Sequence, residues 1–185
     1  MTSLLPFATQ LDFPTGALEP SADTLTRRLS EMAGAYADQD AAAALVAAGD
    51  PVIYRAYTAA VPEERTQLVY RTTIVYPGDV GGEYFMTKGH HHHIDSAEFY
   101  LGMSGSGLMV MQSRSGERRV EELTPYRAVY TPPGWAHRTV NTGNEEFVFL
   151  AVYFGDAGHD YATIERDGFS LRVMQSANGP STISA

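Results

Sequence analysis

At 185 residues, 44% hydrophobic and 19% charged, the chain is long enough to bury one core and too apolar to be disordered. No run approaches the roughly 20 apolar residues of a membrane helix, and the opening MTSLLPFATQLDFPTG has no basic stretch leading into a sustained apolar one, so neither a membrane span nor a secretory signal is expected. A net charge of −9 speaks against nucleic acid and anionic lipid as partners, and the lack of cysteine excludes disulfides and thiolate metal sites and fits a cytoplasmic address.

The first quarter reads as loop, then helix. In EPSADTLTRRLSEMAGAYAD, Ser21 or Asp23 can cap a helix that carries Leu25, Leu29 and Met32 at helical spacing. DQDAAAALVAAGDP is an alanine-rich helix stopped by Gly49 and Pro51. From Val52 the periodicity changes. VIYRAYTA, QLVYRTTIVY, GEYFMTK, AEFYLGMSG, GLMVMQS, RRVEEL, RAVYTP, HRTVNTG, EFVFLAVYF and FSLRVMQ are short runs rich in β-branched and aromatic residues, separated by glycine, proline or charge. Many short antiparallel strands in one domain close most easily as a barrel or double-sheet jelly roll. The expectation is a single all-β domain over residues 1–185. Residues 1–50 pack on it as a loop and helical segment, 52–175 form the barrel, and SANGPSTISA (176–185) is a flexible tail.

All six histidines fall between His90 and His159. On a strand, residues two apart share a face, so an H-x-H pair sends both imidazoles into a barrel lumen. A carboxylate, Glu98, and a later histidine, His137, complete a His₃Glu set suited to a divalent first-row metal with coordination positions left open. HHHHIDSAEFYLGMSG, with Glu98 and Gly105, and PPGWAHRTVN, with Pro132, Gly134, His137 and Asn141, resemble the two signature motifs of the cupin family. That resemblance implies a double-stranded β-helix barrel holding one metal. Either His90 and His92 or His91 and His93 share the inner face. The second pair gives the commoner cupin spacing of four residues to the glutamate, the first pair five.

Other residues speak to the ligand. Thr73, Thr87, Lys88 and Gly89 bring hydroxyls, an ammonium and a flexible backbone amide to the metal's approach, which is equipment for holding a phosphate. Tyr100 follows Glu98 by two residues and faces the same way. AVYFGDAGHDYATI places Tyr153, His159, Asp160 and Tyr161 after the last core strand. FATQLDFPTGAL, RRLSEMAG, TTIVYPG, GEYFMTKGH, AEFY, PPGWAHRTVN and AGHDYATI together resemble the cupin-type glucose-6-phosphate isomerases of archaea and some bacteria, from the N-terminus to about residue 170.

The resemblance implies metal ligands at His90, His92, Glu98 and His137, because the unbroken GEYFMTKGH match sets His90 in register. The stretch from there to Glu98 is one residue shorter than the family's usual pattern. Phosphate contacts are implied at Thr73, Thr87 and Gly89, with Tyr100 nearby, and substrate contacts at Tyr153, His159 and Tyr161. The activity implied is metal-dependent aldose–ketose isomerisation of a phosphorylated hexose, with Glu98 as base. One divalent ion per subunit is expected, Fe²⁺ ahead of Mn²⁺, Ni²⁺ or Zn²⁺, in a homodimer. A metal-dependent dioxygenase, a non-catalytic sugar-binding cupin and a mannose 6-phosphate isomerase are the competing readings.

Overall fold

The computed structural model describes residues 4–185. A small hairpin of β1 (Gln10–Leu11) and β2 (Leu18–Glu19) leads into β3 (Ser21–Arg28). A strand therefore stands where the spacing of Leu25, Leu29 and Met32 predicts a helix. The reason is tertiary: β3 pairs along its length with β4 (Val52–Ala59), Leu25 opposite Ala56, and that ladder satisfies backbone groups a short helix would satisfy internally. Leu29 and Met32 are buried all the same, on two single 3₁₀ turns at Leu29–Glu31 and Ala33–Ala35. The alanine-rich helix forms as expected, as α1 (Gln39–Gly49). Asp38 caps it by accepting from the Ala41 N–H at 2.9 Å.

The barrel strands follow the sequence runs closely. They are β5 (Leu68–Val75), β6 (Asp79–Val80), β7 (Glu83–Tyr84), β8 (Glu98–Ser104), β9 (Gly107–Ser113), β10 (Arg118–Leu123), β11 (Ala128–Thr131), β12 (Trp135–Asn141) and β13 (Phe147–Phe154). A short helix, α2 (Tyr161–Asp167), then precedes β14 (Leu171–Met174) and β15 (Ser181–Ser184). The last strand corrects the expected loose tail: residues 181–184 pair antiparallel with all four residues of β14, so only a turn separates them.

The largest sheet runs β11-β8-β13-β5-β4-β3, and β10-β9-β12 forms its counterpart. Chain 85–91 extends the second sheet beyond β12 without being a regular strand. Thr87 N–H donates to Thr139 O at 2.9 Å, and His90 and His137 exchange both backbone hydrogen bonds. Between the sheets lie Ile53, Val75, Met109, Phe147 and Phe149, all buried. This is the all-β double-sheet barrel expected of a cupin.

A polar clamp ties the N-terminal segment to the barrel. Glu83, 1% exposed, accepts from the Ala37 N–H at 3.0 Å and from Arg172 Nη1 at 2.9 Å, while the same Nη1 reaches Ala35 O. One buried carboxylate thus joins the 3₁₀ region, β7 and β14. Removing one member of a buried ion pair costs about 3–5 kcal/mol, so Glu83→Ala is expected to lower unfolding stability by that amount in a denaturant titration.

Candidate metal centre and pocket

Strand alternation delivers the site. β8 turns Glu98 and Tyr100 inward and leaves Phe99 outside at 40% exposure. In β12, His137 and Thr139 face the lumen, while Arg138 points the other way, over the Phe169 ring at 4.6 Å and into Leu171 O at 2.7 Å. Among the four consecutive histidines, backbone pairing decides the register. His90 pairs with His137, which turns it to the lumen; His91 pairs with Asp160 on the opposite side. His92 returns to the lumen and His93 lies outside, against Gly158. Gly89 makes this turn possible at φ +74, where any Cβ would strike Phe169 and Arg138.

His90, His92, Glu98 and His137 therefore converge, each offering one donor atom, all within 4.8 Å of one another. Glu98 Oε2 lies 2.8 Å from His137 Nε2, 3.1 Å from His92 Nε2 and 3.8 Å from His90 Nε2. The outer ring nitrogens are committed: His137 Nδ1 donates to Trp135 O at 3.1 Å and His92 Nδ1 to Ser96 O at 2.9 Å. A carbonyl only accepts, so those nitrogens carry protons, and a ring holding a single proton turns a bare lone pair toward Glu98. His90 Nε2 is buried with no hydrogen-bond partner. Lone pairs facing a carboxylate repel unless a cation lies among them. Neighbouring ligands on an ion at about 2.1 Å stand about 3 Å apart, which is the separation found for two of the three pairs. The residues fit a divalent ion with imidazole and carboxylate ligands and outer partners already set.

Electrostatics agree. Burial works against the charge on Glu98, and the positive charge that holds its carboxyl well below the usual carboxylate range is carried by imidazoles protonated toward it or, in their place, by a bound cation. Burial and the charge of Glu98 keep the Tyr100 phenol protonated far above its ordinary value. Burial, aided by Arg71, brings His159 down to about 4, so its imidazole is neutral at neutral pH. Burial pushes the Tyr153 phenol up to about 12, and its hydroxyl is enclosed without a partner.

Beside this cluster is a cavity of about 50 Å³ whose walls include Thr73, Thr87, Lys88, Gly89, Tyr100, Tyr153, His159 and Tyr161. The residues expected to meet phosphate and sugar thus line one cavity beside the cluster, whereas Asp160, His91 and His93 lie outside it. His159 contacts His90 at 4.5 Å between ring centroids and stacks on Tyr161. The Thr87 hydroxyl accepts from Thr139 N–H at 3.0 Å, which fixes the oxygen while its proton faces either Thr139 Oγ1 or the cavity. Lys88 is turned aside, its ammonium 2.5 Å from Glu165 on α2. The loop carrying His159 is held by α2, whose N-cap Asp160 accepts from Thr163 N–H and Oγ1. That cap, Asp followed three residues later by Thr and then Gly168, is a helix signal the sequence reading passed over.

Among the wall residues that the sequence reading did not single out are Arg71 and Tyr54. For Arg71 the signal was present. It precedes Thr73 by two residues on β5 and so shares its face.

Comparison with known proteins follows the same outline. The family profile described as glucose-6-phosphate isomerase (GPI) matches residues 26–182. A glucose-6-phosphate isomerase of Thermococcus litoralis is 49% identical over 171 residues, 92% of this chain and 90% of that protein. One from Pyrococcus furiosus is 46% identical over 92% of this chain and 90% of its own length. One from Sinorhizobium medicae is 39% identical over 97% and 86%. Among solved structures, an oxalate decarboxylase of Bacillus subtilis aligns with a TM-score of 0.46 at 23% identity, over 57% of this chain and 26% of that one.

The register of the four histidines is open to direct test. His90→Ala and His92→Ala are expected to weaken binding of added Mn²⁺ or Ni²⁺ by more than the roughly 10–100-fold that loss of an outer partner costs. His91→Ala and His93→Ala are expected to retain one ion per chain by elemental analysis.

Proposed function

The chain belongs to the glucose-6-phosphate isomerase family, and from that membership we propose that it interconverts D-glucose 6-phosphate and D-fructose 6-phosphate. The observation that carries this is the family match over residues 26–182, which contains the His₃Glu cluster and nearly every wall of the adjoining cavity. His90, His92, Glu98 and His137 are the proposed ligands of one divalent ion, Fe²⁺ ahead of Mn²⁺, Ni²⁺ or Zn²⁺. Bound there, the ion supplies Lewis-acid polarisation of the sugar's C1 and C2 oxygens.

The chain's own groups do the rest. Thr73, Thr87 and the Gly89 backbone take the phosphate, so that binding energy at a remote group orients the reacting carbons. His159, a neutral imidazole with one donor and one acceptor nitrogen, moves the anomeric hydroxyl proton toward the ring oxygen as the ring opens. Tyr153 and Tyr161 hold sugar hydroxyls, with Tyr100 beside Glu98. Glu98 then takes the C2 proton. The C2–H electron pair becomes the C1=C2 bond as the C1=O pair moves onto O1; the O2–H proton passes to O1, the O2 pair re-forms a carbonyl at C2, and the C1=C2 pair takes the proton back from Glu98 at C1.

A homodimer is the proposed assembly. Its support is an apolar outer face on the large sheet, where Phe99, Tyr130, Phe154 and Leu68 are 40%, 63%, 45% and 55% exposed on neighbouring strands. Among the described residues no helix is long and apolar enough to cross a membrane, and the cytoplasm, where phosphorylated hexoses are held, is the proposed location.

A coupled assay of fructose 6-phosphate conversion is expected to show activity that chelation abolishes and a divalent ion restores; activity untouched by exhaustive chelation would remove the metal from the reaction. Thr87→Ala is expected to raise KM for the phosphosugar roughly 10-fold or more while metal content stays whole; equal losses in both would count against its phosphate role. Run in D₂O, the reaction is expected to place solvent deuterium in the product, whereas complete retention of the C2 hydrogen would replace the Glu98 proton route with a hydride shift.

A further inference from the structure

One cation in the pocket has no assigned partner. Arg71 rises from β5 between small neighbours, Ala151 on one side and Thr58 on the other, so its side chain is free to extend over the cavity. Its guanidinium carbon stands 5.5 Å above the Tyr153 ring. Nε is buried without a hydrogen-bond partner. Among the described residues Arg71 forms no salt bridge, while the other cation of the cavity wall, Lys88, is paired with Glu165. Glu98, the carboxylate whose charge acts on Arg71, faces three imidazoles and makes no salt bridge with it. A half-buried guanidinium whose Nε is cut off from water without a partner is unfavourable for folding unless something completes it.

We propose that Arg71 is a phosphate-binding residue of this enzyme, completing with charge the neutral grip of Thr73, Thr87 and Gly89. The inference rests on the sugar-phosphate reading and deepens it. Phosphate is the only formally charged group of a hexose phosphate, and Arg71 lines the same cavity as Thr73, Thr87 and Gly89. Two threonine hydroxyls and a backbone amide supply direction but no charge. In a chain of net charge −9, an anionic substrate needs a local cation, and a guanidinium offers several N–H donors in a fixed fork. Arg71 shares a strand face with Thr73, so both can reach the same anion from one wall.

The test uses Arg71→Met, which keeps length and removes charge, and Arg71→Lys, which keeps charge and loses the fork. Inorganic phosphate binding is measured by calorimetry, KM and kcat with fructose 6-phosphate, metal content by elemental analysis and Tm by calorimetric scan. Arg71→Met is expected to weaken phosphate binding and raise KM, each by about 10–100-fold, with kcat within about 3-fold, unchanged metal and a Tm at or above that of the unmodified chain. Arg71→Lys is expected to recover part of both losses. Unchanged phosphate affinity would overturn the proposal, whether accompanied by a fall in kcat, which would move Arg71 to the reacting carbons, or by a fall in Tm, which would make it structural. The two readings fail separately: an unmodified chain that binds phosphate through Arg71 yet leaves hexose phosphates unchanged would sink the isomerase reading alone.

Discussion

Three imidazoles turned on one buried carboxylate are the constraint around which this barrel is organised. Left to themselves, Glu98, His90, His92 and His137 are a cluster of acceptors with too few protons, an arrangement a protein interior does not tolerate without a cation. The fold maintains it by locking the outer nitrogens of His92 and His137 onto backbone carbonyls, which leaves the inner ones no choice of tautomer. The geometry of the site is thus written into hydrogen bonds one layer away from it.

Those hydrogen bonds depend in turn on irregular chain. The stretch from Thr87 to His93 is not a regular strand, yet its backbone is paired first with β12 and then with the loop before α2. Pairing His90 with His137 brings two ligands side by side from opposite chain directions. Pairing His91 with Asp160 brings the loop of His159 and Tyr161 over the same site. One segment therefore positions both the metal cluster and the groups that would handle the sugar, and Gly89, at positive φ, lies between the Thr87–Thr139 and His90–His137 contacts with β12.

Charge is distributed with the same division of labour. The surface is acidic, the metal cluster absorbs its own carboxylate, and Lys88 is spent on Glu165. That leaves Arg71 as the uncompensated positive group facing the cavity, opposite neutral threonine hydroxyls. In the proposed function, neutral donors would give direction and a single guanidinium charge, a means of admitting one phosphorylated ligand into an otherwise anion-repelling molecule.

Much of this was legible from residue order alone. Short β-branched runs between glycine and proline breaks marked the barrel, and the spacing of histidines, Glu98 and the Pro-Gly turn before His137 marked the metal cluster, because alternation along a strand is a local property. The alanine-rich run stopped by Gly49 and Pro51 marked α1 for the same reason. What the order of residues left open was settled by partners distant in the chain. Ser21–Arg28 has helical spacing and is a strand because β4 lies beside it; Ser181–Ser184 is polar and small and pairs because β14 is there. Which two of four consecutive histidines face inward was decided by backbone bonds to His137 and Asp160, residues 47 and 69 positions beyond His90 and His91. Local pattern determines which faces a segment has; only the neighbour it hydrogen-bonds to decides which face looks at the metal.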